Sequence, residues 1–176
     1  MTRSETDFAR PGTYALILAC RQTGSVRIGR LSRLHLQPGY YVYVGSALGT
    51  GGLQARLRHH LQIPARPHWH IDYLRAVCDV REVWFTSDTA RFEHRWAKVM
   101  AGLPGAGVPL PRFGSSDCAC VAHLLACPPS GCSGSRSRPR FRGRLRPTSP
   151  VAAVIEPLAE RCRWHRLEAQ CPPVTV

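Results

Sequence analysis

The chain has 176 residues, of which 44% are hydrophobic, and a formal net charge of +13. That is one ordinary domain with apolar material enough for a core, and its field favours a polyanionic partner. The opening MTRSETDFARPGTY carries no apolar core behind its charges, and no apolar run is long enough to cross a bilayer. A secretory leader and a membrane span are therefore not expected, and of the polyanions the charge suits, nucleic acid rather than an anionic membrane surface is the expected partner. A cytoplasmic location is expected, with the eight cysteines as core thiols or metal ligands rather than disulfides. Arginine supplies nearly all the positive charge, Lys98 being the only lysine.

Residues 1–10 read as a flexible N-terminus. From Gly12 to Cys20, GTYALILAC predicts a strand, and a turn at Gln22-Thr23-Gly24 leads into SVRIGRL, Ser25 to Leu31, pairing back as a hairpin. Leu34 to Leu36 adds a short strand, and YYVYVGS, Tyr40 to Ser46, the next. The glycine-rich GSALGTGG follows, open to the approach of a phosphate but without the Lys-Ser/Thr ending of a P-loop. A helix is predicted over Gly51 to Leu61, capped by Thr50, with Leu53, Leu57 and Leu61 as its apolar stripe. A short helix over His70 to Val77, a strand over Val80 to Ser87 and a helix over Thr89 to Leu103 come next. The last turns Phe92, Trp96, Val99 and Leu103 to the core. A Pro/Gly loop runs to Phe113, and Cys120 to Cys127 closes the sheet. The order predicts an α/β (α+β) layer fold, a small and mostly antiparallel sheet flanked by helices over residues 11–127.

Composition shifts after Cys127. Residues 128–176 carry nine arginines against three acidic residues, and Pro128 to Pro150 shows no helix or strand period. This segment reads as a basic, low-complexity, disordered tail, with a short helix over Val151 to Arg166.

One group of residues carries chemistry. Arg56 and His60 lie four residues apart on one helix face, beside the glycine-rich loop. Hydrolysis of a phosphodiester needs an activated water, fixed charge against the developing phosphorane and help for the leaving oxygen. Arginine supplies the charge, histidine exchanges a proton near neutrality, and a carboxylate holds a Mg²⁺ that keeps most of its waters.

Gly12-Thr13-Tyr14, Tyr43-Val44-Gly45, Arg56, His60 and Glu93, in that order, resemble the GIY-YIG nuclease family. The long strings YYVYVGSALGTGGLQARLRHH, HWHIDYL and GSSDCACVAHL look like an uncharacterised subgroup sometimes fused to endonuclease-III-type DNA glycosylases. The resemblance implies a metal-dependent endonuclease acting on DNA in preference to RNA, in repair, in association with a DNA glycosylase. It implies Tyr14, Tyr43, Arg56 and His60 as catalytic residues, with Tyr14 or His60 as base, and Glu93 as ligand of Mg²⁺ (or Mn²⁺). Two departures stand out. The tyrosines are far apart, with the Ser25–Leu36 hairpin as the insertion, and the chain has no asparagine to follow the glutamate, Asp117 being the nearest polar substitute. The nuclease reading is staked on Tyr14, Tyr43, Arg56 and Glu93 meeting around one pocket and on the Glu93 helix sharing a side of the sheet with the two phenols, the opposite side leaving only a cationic scaffold.

Two other readings are carried. A nucleic-acid-binding module on the same fold, catalytically inactive, accounts for the charge and the missing asparagine. Metal binding at Cys118, Cys120, His123 and Cys127, or at His68, His70 and Asp72, needs segments that bring those donors together. Arg58 and His59 are expected to be solvated or in loose contact with phosphate.

Overall fold

The computed structural model describes residues 9–88, 90–103 and 105–127, together with the backbone of 165–168. Expectations for the rest of 1–10 and of 128–176 lie outside the described residues. Ten elements follow in chain order: β1 Gly12–Cys20, β2 Gly24–Ile28, β3 Ser32–Leu36, β4 Gly39–Ala47, α1 Gly52–Leu61, α2 His70–Arg75, β5 Asp79–Thr86, α3 Glu93–Ala101, β6 Leu124–Cys127 and β7 His165–Glu168. The expected α+β architecture is present. Five strands form one sheet in the order β6-β4-β1-β5-β7, every pair antiparallel, and β2 with β3 forms a separate two-stranded sheet. No helix among the described residues is long and apolar enough to cross a membrane.

β1 is buried almost end to end because both faces of the sheet are covered, so its sequence is a continuous apolar run rather than an alternation. Tyr14, Leu16, Leu18 and Cys20 point to one face, where Leu53 and Leu57 of α1, Ile71 and Leu74 of α2, and the β2–β3 hairpin pack on them. Ala15 and Ile17 point to the other, under Trp96 and Met100 of α3. Leu53 and Leu57 are fully buried, which contributes roughly 1.5–3 kcal/mol each. The hairpin leaves the main sheet, so β1 and β4 pair directly despite the residues between them: Tyr14 lies opposite Gly45, and Leu16 opposite Tyr43.

Several boundaries differ from the expectation. Gly51, not Thr50, caps α1: Gly51 (φ 86°) and Gly52 (φ 56°) are left-handed, a conformation that glycine takes without strain. The Leu53 amide donates to the Arg10 carbonyl at 3.0 Å, so the start of α1 is tied to the N-terminal segment. Leu61 falls past the covered stripe and is 42% exposed. In α3 the buried residues are Trp96, Ala97 and Met100, while Val99 faces outward at 38% exposure. β6 begins at Leu124, because turns precede it: the Arg112 amide donates to the Val121 carbonyl and the His123 amide to that of Phe113. Of residues 128–176, His165–Glu168 forms an antiparallel strand on β5, so strand stands in place of the expected helix at His165 and Arg166.

The helix carrying Glu93 does not share a side with the phenols. Tyr14 and Tyr43 belong to the α1 side of the sheet and α3 packs on the opposite side. Glu93 nevertheless opens α3, and it reaches round the end of β4. β6 pairs with β4 only from Tyr40 to Tyr43, and the Val44 amide is taken by the His123 carbonyl at 2.9 Å. Among the described residues no strand lies beside Gly45–Ala47 on that edge, and Ser46 there donates from Oγ to Glu93 Oε2 at 2.6 Å.

Candidate active site

Tyr14, Tyr43, Arg56 and Glu93 line one open cleft of about 420 Å³, joined by Ser46, Trp69 and Asp117. His60 lies directly behind it, buried to 1% exposure. The four wall residues come from β1, β4, α1 and α3, so only the folded chain assembles them.

The two phenols depend on a glycine. Gly45 sits opposite Tyr14, and a Cβ there would collide with the Tyr14 ring. The rings of Tyr14 and Tyr43 then lie 6.4 Å apart, tilted by 54°. Gly45→Ala is expected to cost about 1–3 kcal/mol by forcing the buried ring aside. A lower urea midpoint at unchanged slope would register it. Gly114 (φ 72°) does the same for Tyr43, whose ring edge would be 2.9 Å from an added Cβ.

Tyr14 and His60 form a buried pair, with Tyr14 Oη 2.8 Å from His60 Nε2. Burial raises the Tyr14 pKa well above its ordinary value, with the neighbouring Tyr43 adding to the shift and Arg56 opposing it. Tyr43 is raised too, first by burial and then by Glu93. Burial lowers the His60 pKa, although Asp72 pulls the other way. At neutral pH the imidazole is therefore neutral and Tyr14 is the donor. His60 Nδ1, which then carries the ring proton, faces Asp72 Oδ1 at 3.7 Å without forming a hydrogen bond.

Asp72 organises this region. It accepts from the His68 amide at 2.9 Å and the Trp69 amide at 3.0 Å, and His59 Nε2 lies 3.1 Å from Oδ1. Burial opposes its charge, but the facing His60, these two amides and His59 outweigh burial and hold the carboxyl well below the usual range. Asp72→Asn is expected to destabilise the fold by about 1–3 kcal/mol at neutral pH, because one of the two acceptor oxygens becomes an amide donor and the charge facing the two histidines is lost. The depressed carboxylate pKa gives a stabilisation that is complete above about pH 4, shrinks as pH falls and vanishes below the folded-state value. Denaturant midpoints of the two proteins should therefore converge in acid.

Arg56 is held in place by an aromatic: its guanidinium carbon stands 4.3 Å from the Trp69 ring centroid. Arg75, itself buried, caps the end of α1 by donating to the His60 carbonyl at 2.7 Å and the Leu61 carbonyl at 3.3 Å. This fixes the backbone from which His60 projects. Glu93 receives Ser46 on Oε2, and His123 Nδ1 lies 3.2 Å from Oε1. Burial would raise its pKa, but His123 and Ser46 outweigh it and keep the carboxyl below its usual value. An ionised carboxylate facing a polar cleft, with lone pairs beyond those two contacts, fits a Mg²⁺ or Mn²⁺ that retains most of its waters.

Other expected sites are rearranged. Beyond Ser46 the glycine loop is not among the cleft walls, and its last glycines serve the chain reversal into α1. His59 is not a solvated neighbour but is bonded to Asp72. His68, His70 and Asp72 do not converge, because α2 starts at His70 and turns that ring to accept from the Gly114 amide at 3.0 Å. The donors that do come together are His59, His60 and Asp72, and separately His94, Cys118 and His123. Cys127 is remote from both, paired across from Tyr40. Ser46, Trp69 and Arg75 carried no expectation as site residues, and Asp72 and His123, expected only as metal ligands, stand instead beside His60 and Glu93. Only the position of Ser46, directly after Tyr-Val-Gly, could have pointed to it.

The family described as "Domain of unknown function DUF123" matches residues 13–138. No curated protein and no solved structure matches the chain.

Proposed function

The chain belongs to the DUF123 family, and from its cleft we propose a GIY-YIG-type, metal-dependent endonuclease that hydrolyses the DNA backbone. The observation that carries this reading is the meeting of Tyr14, Tyr43, Arg56 and Glu93 around one cleft of about 420 Å³, with His60 bonded behind Tyr14. The net charge of +13 suits a polyanionic substrate. Repair, a cytoplasmic setting and partnership with a DNA glycosylase belong to the same proposal.

The residues divide the work. Neutral His60 accepts the Tyr14 proton at Nε2 as Tyr14 Oη takes one from the attacking water. The water oxygen bonds to phosphorus, the P–O bond to the leaving oxygen breaks, and that oxygen takes its proton from solvent in the open cleft while the proton on His60 returns through Tyr14 after product release. Arg56, steadied on Trp69, faces the charge growing on the phosphorane. Tyr43, kept protonated by its raised pKa, donates to a non-bridging oxygen. Glu93 would hold a Mg²⁺ or Mn²⁺, which would supply Lewis-acid stabilisation of the developing charge.

The test is incubation of the purified chain with supercoiled and branched DNA, with Mg²⁺ or with a chelator. Metal-dependent nicking is expected. Salt-sensitive binding without any nicking would overturn hydrolysis and leave the inactive binding module.

A further inference from the structure

We propose that the chain holds a zinc-type ion between the start of α3 and the turns before β6, bound by His94, Cys118 and His123. This goes beyond the nuclease reading and does not depend on it.

The donor atoms of these three residues all lie within 4.8 Å of one another. Cys118 Sγ is 3.4 Å from His123 Nε2. A tetrahedral zinc with ordinary Zn–S and Zn–N bonds separates such a pair by about 3.6 Å, so the ion can replace the thiol proton with little movement. One thiolate and two imidazoles are soft-to-borderline donors that suit zinc and do not suit magnesium, which demands oxygen. The rings of His94 and His123 are 5.6 Å apart, and His94 is exposed, so an ion has a route in from solvent.

The surroundings of His123 complete the argument. An imidazole bound to zinc through one nitrogen characteristically directs its other N–H to a carboxylate. His123 presents Nε2 to Cys118, and its buried Nδ1 stands 3.2 Å from Glu93 Oε1 without yet forming a hydrogen bond. Zinc on Nε2 would fix the proton on Nδ1 and aim it at Glu93. The ion would thus tie the 112–123 turns to α3 and hold Glu93 at the cleft. His123 is a positioning residue in this arrangement.

The experiment is a cobalt titration of the full chain, stripped of metal under reducing conditions. One Co²⁺ per chain is expected, with a thiolate-to-cobalt charge-transfer band that Zn²⁺ bleaches and excess Mg²⁺ does not. Cys118→Ser should remove the band. His94→Ala should weaken binding by more than the roughly 10- to 100-fold that loss of an outer hydrogen-bond partner costs. Glu93→Gln should keep the band, which separates this site from nuclease activity. Circular dichroism of each variant checks that the fold is retained. Absence of a band, or one that survives Cys118→Ser and so arises from another cysteine, would overturn the site.

Discussion

Glu93→Gln is expected to abolish metal-dependent nicking while leaving the fold and DNA binding in place. The carboxylate is the one acidic group that α3 brings to the cleft, and it reaches there only because β6 stops short of Gly45–Ala47. Glutamine can still accept from Ser46, so the local packing is preserved, but it loses the charge that attracts a hard cation. The Lewis-acid contribution of a bound metal is several kcal/mol, and each 1.36 kcal/mol is tenfold, so a loss of about a thousandfold or more is expected. Single-turnover cleavage at saturating protein and a range of Mg²⁺ concentrations measures it. Nicking by the variant at the wild-type rate would remove Glu93 from the reaction. Nicking restored by very high Mg²⁺ would instead locate the defect in affinity, as a ligand requires.

Tyr14→Phe should lower the cleavage rate by about 10²- to 10⁴-fold, the usual contribution of a positioned proton-transfer group. The effect should fall on the chemical step and not on DNA affinity, since the phenol is 1% exposed and offers little surface to bind. The wild-type pH profile adds a second measurement. His60 must be neutral to accept the Tyr14 proton, and burial lowers its pKa. The rate should therefore hold as pH falls to the ordinary histidine value of about 6.5 and decline only below it. The variant should lose that acid limb. Equal rates for wild type and Tyr14→Phe would sink the relay from Tyr14 to His60. Because the substitution leaves His60 Nε2 without its partner, a denaturation curve must accompany the assay.

Much of this molecule is legible along the chain. The runs Gly12–Cys20 and Gly39–Ala47 show as strands because apolar and aromatic residues are continuous there and turn residues bound them. Arg56 and His60 show as one face because helical spacing demands it. The site residues could be named in order because they resemble the GIY-YIG pattern; taken alone, the tyrosines read as packing residues and the arginine and histidine as a solvated helix face. Arg75 gave no such signal, and Asp72 showed only as a possible metal ligand beside His68 and His70, not as the partner of His59 and His60. A buried aspartate can be told from a surface one only by what surrounds it, and here the surroundings are two amides and two histidines from two segments.

Strand and helix identity, the charge and the list of reactive side chains thus follow from residue order, since propensity and periodicity act over a few residues at a time. Which side of the sheet each helix covers does not follow. α3 lies opposite the phenols, contrary to expectation, because Trp96 and Met100 pack against Ala15 and Ile17. Glu93 still meets Tyr14 because β6 is short and Ser46 stands at the exposed edge of β4. Such an encounter depends on strand register and on where a neighbouring strand ends, which are set by long-range pairing and core packing and leave no local trace.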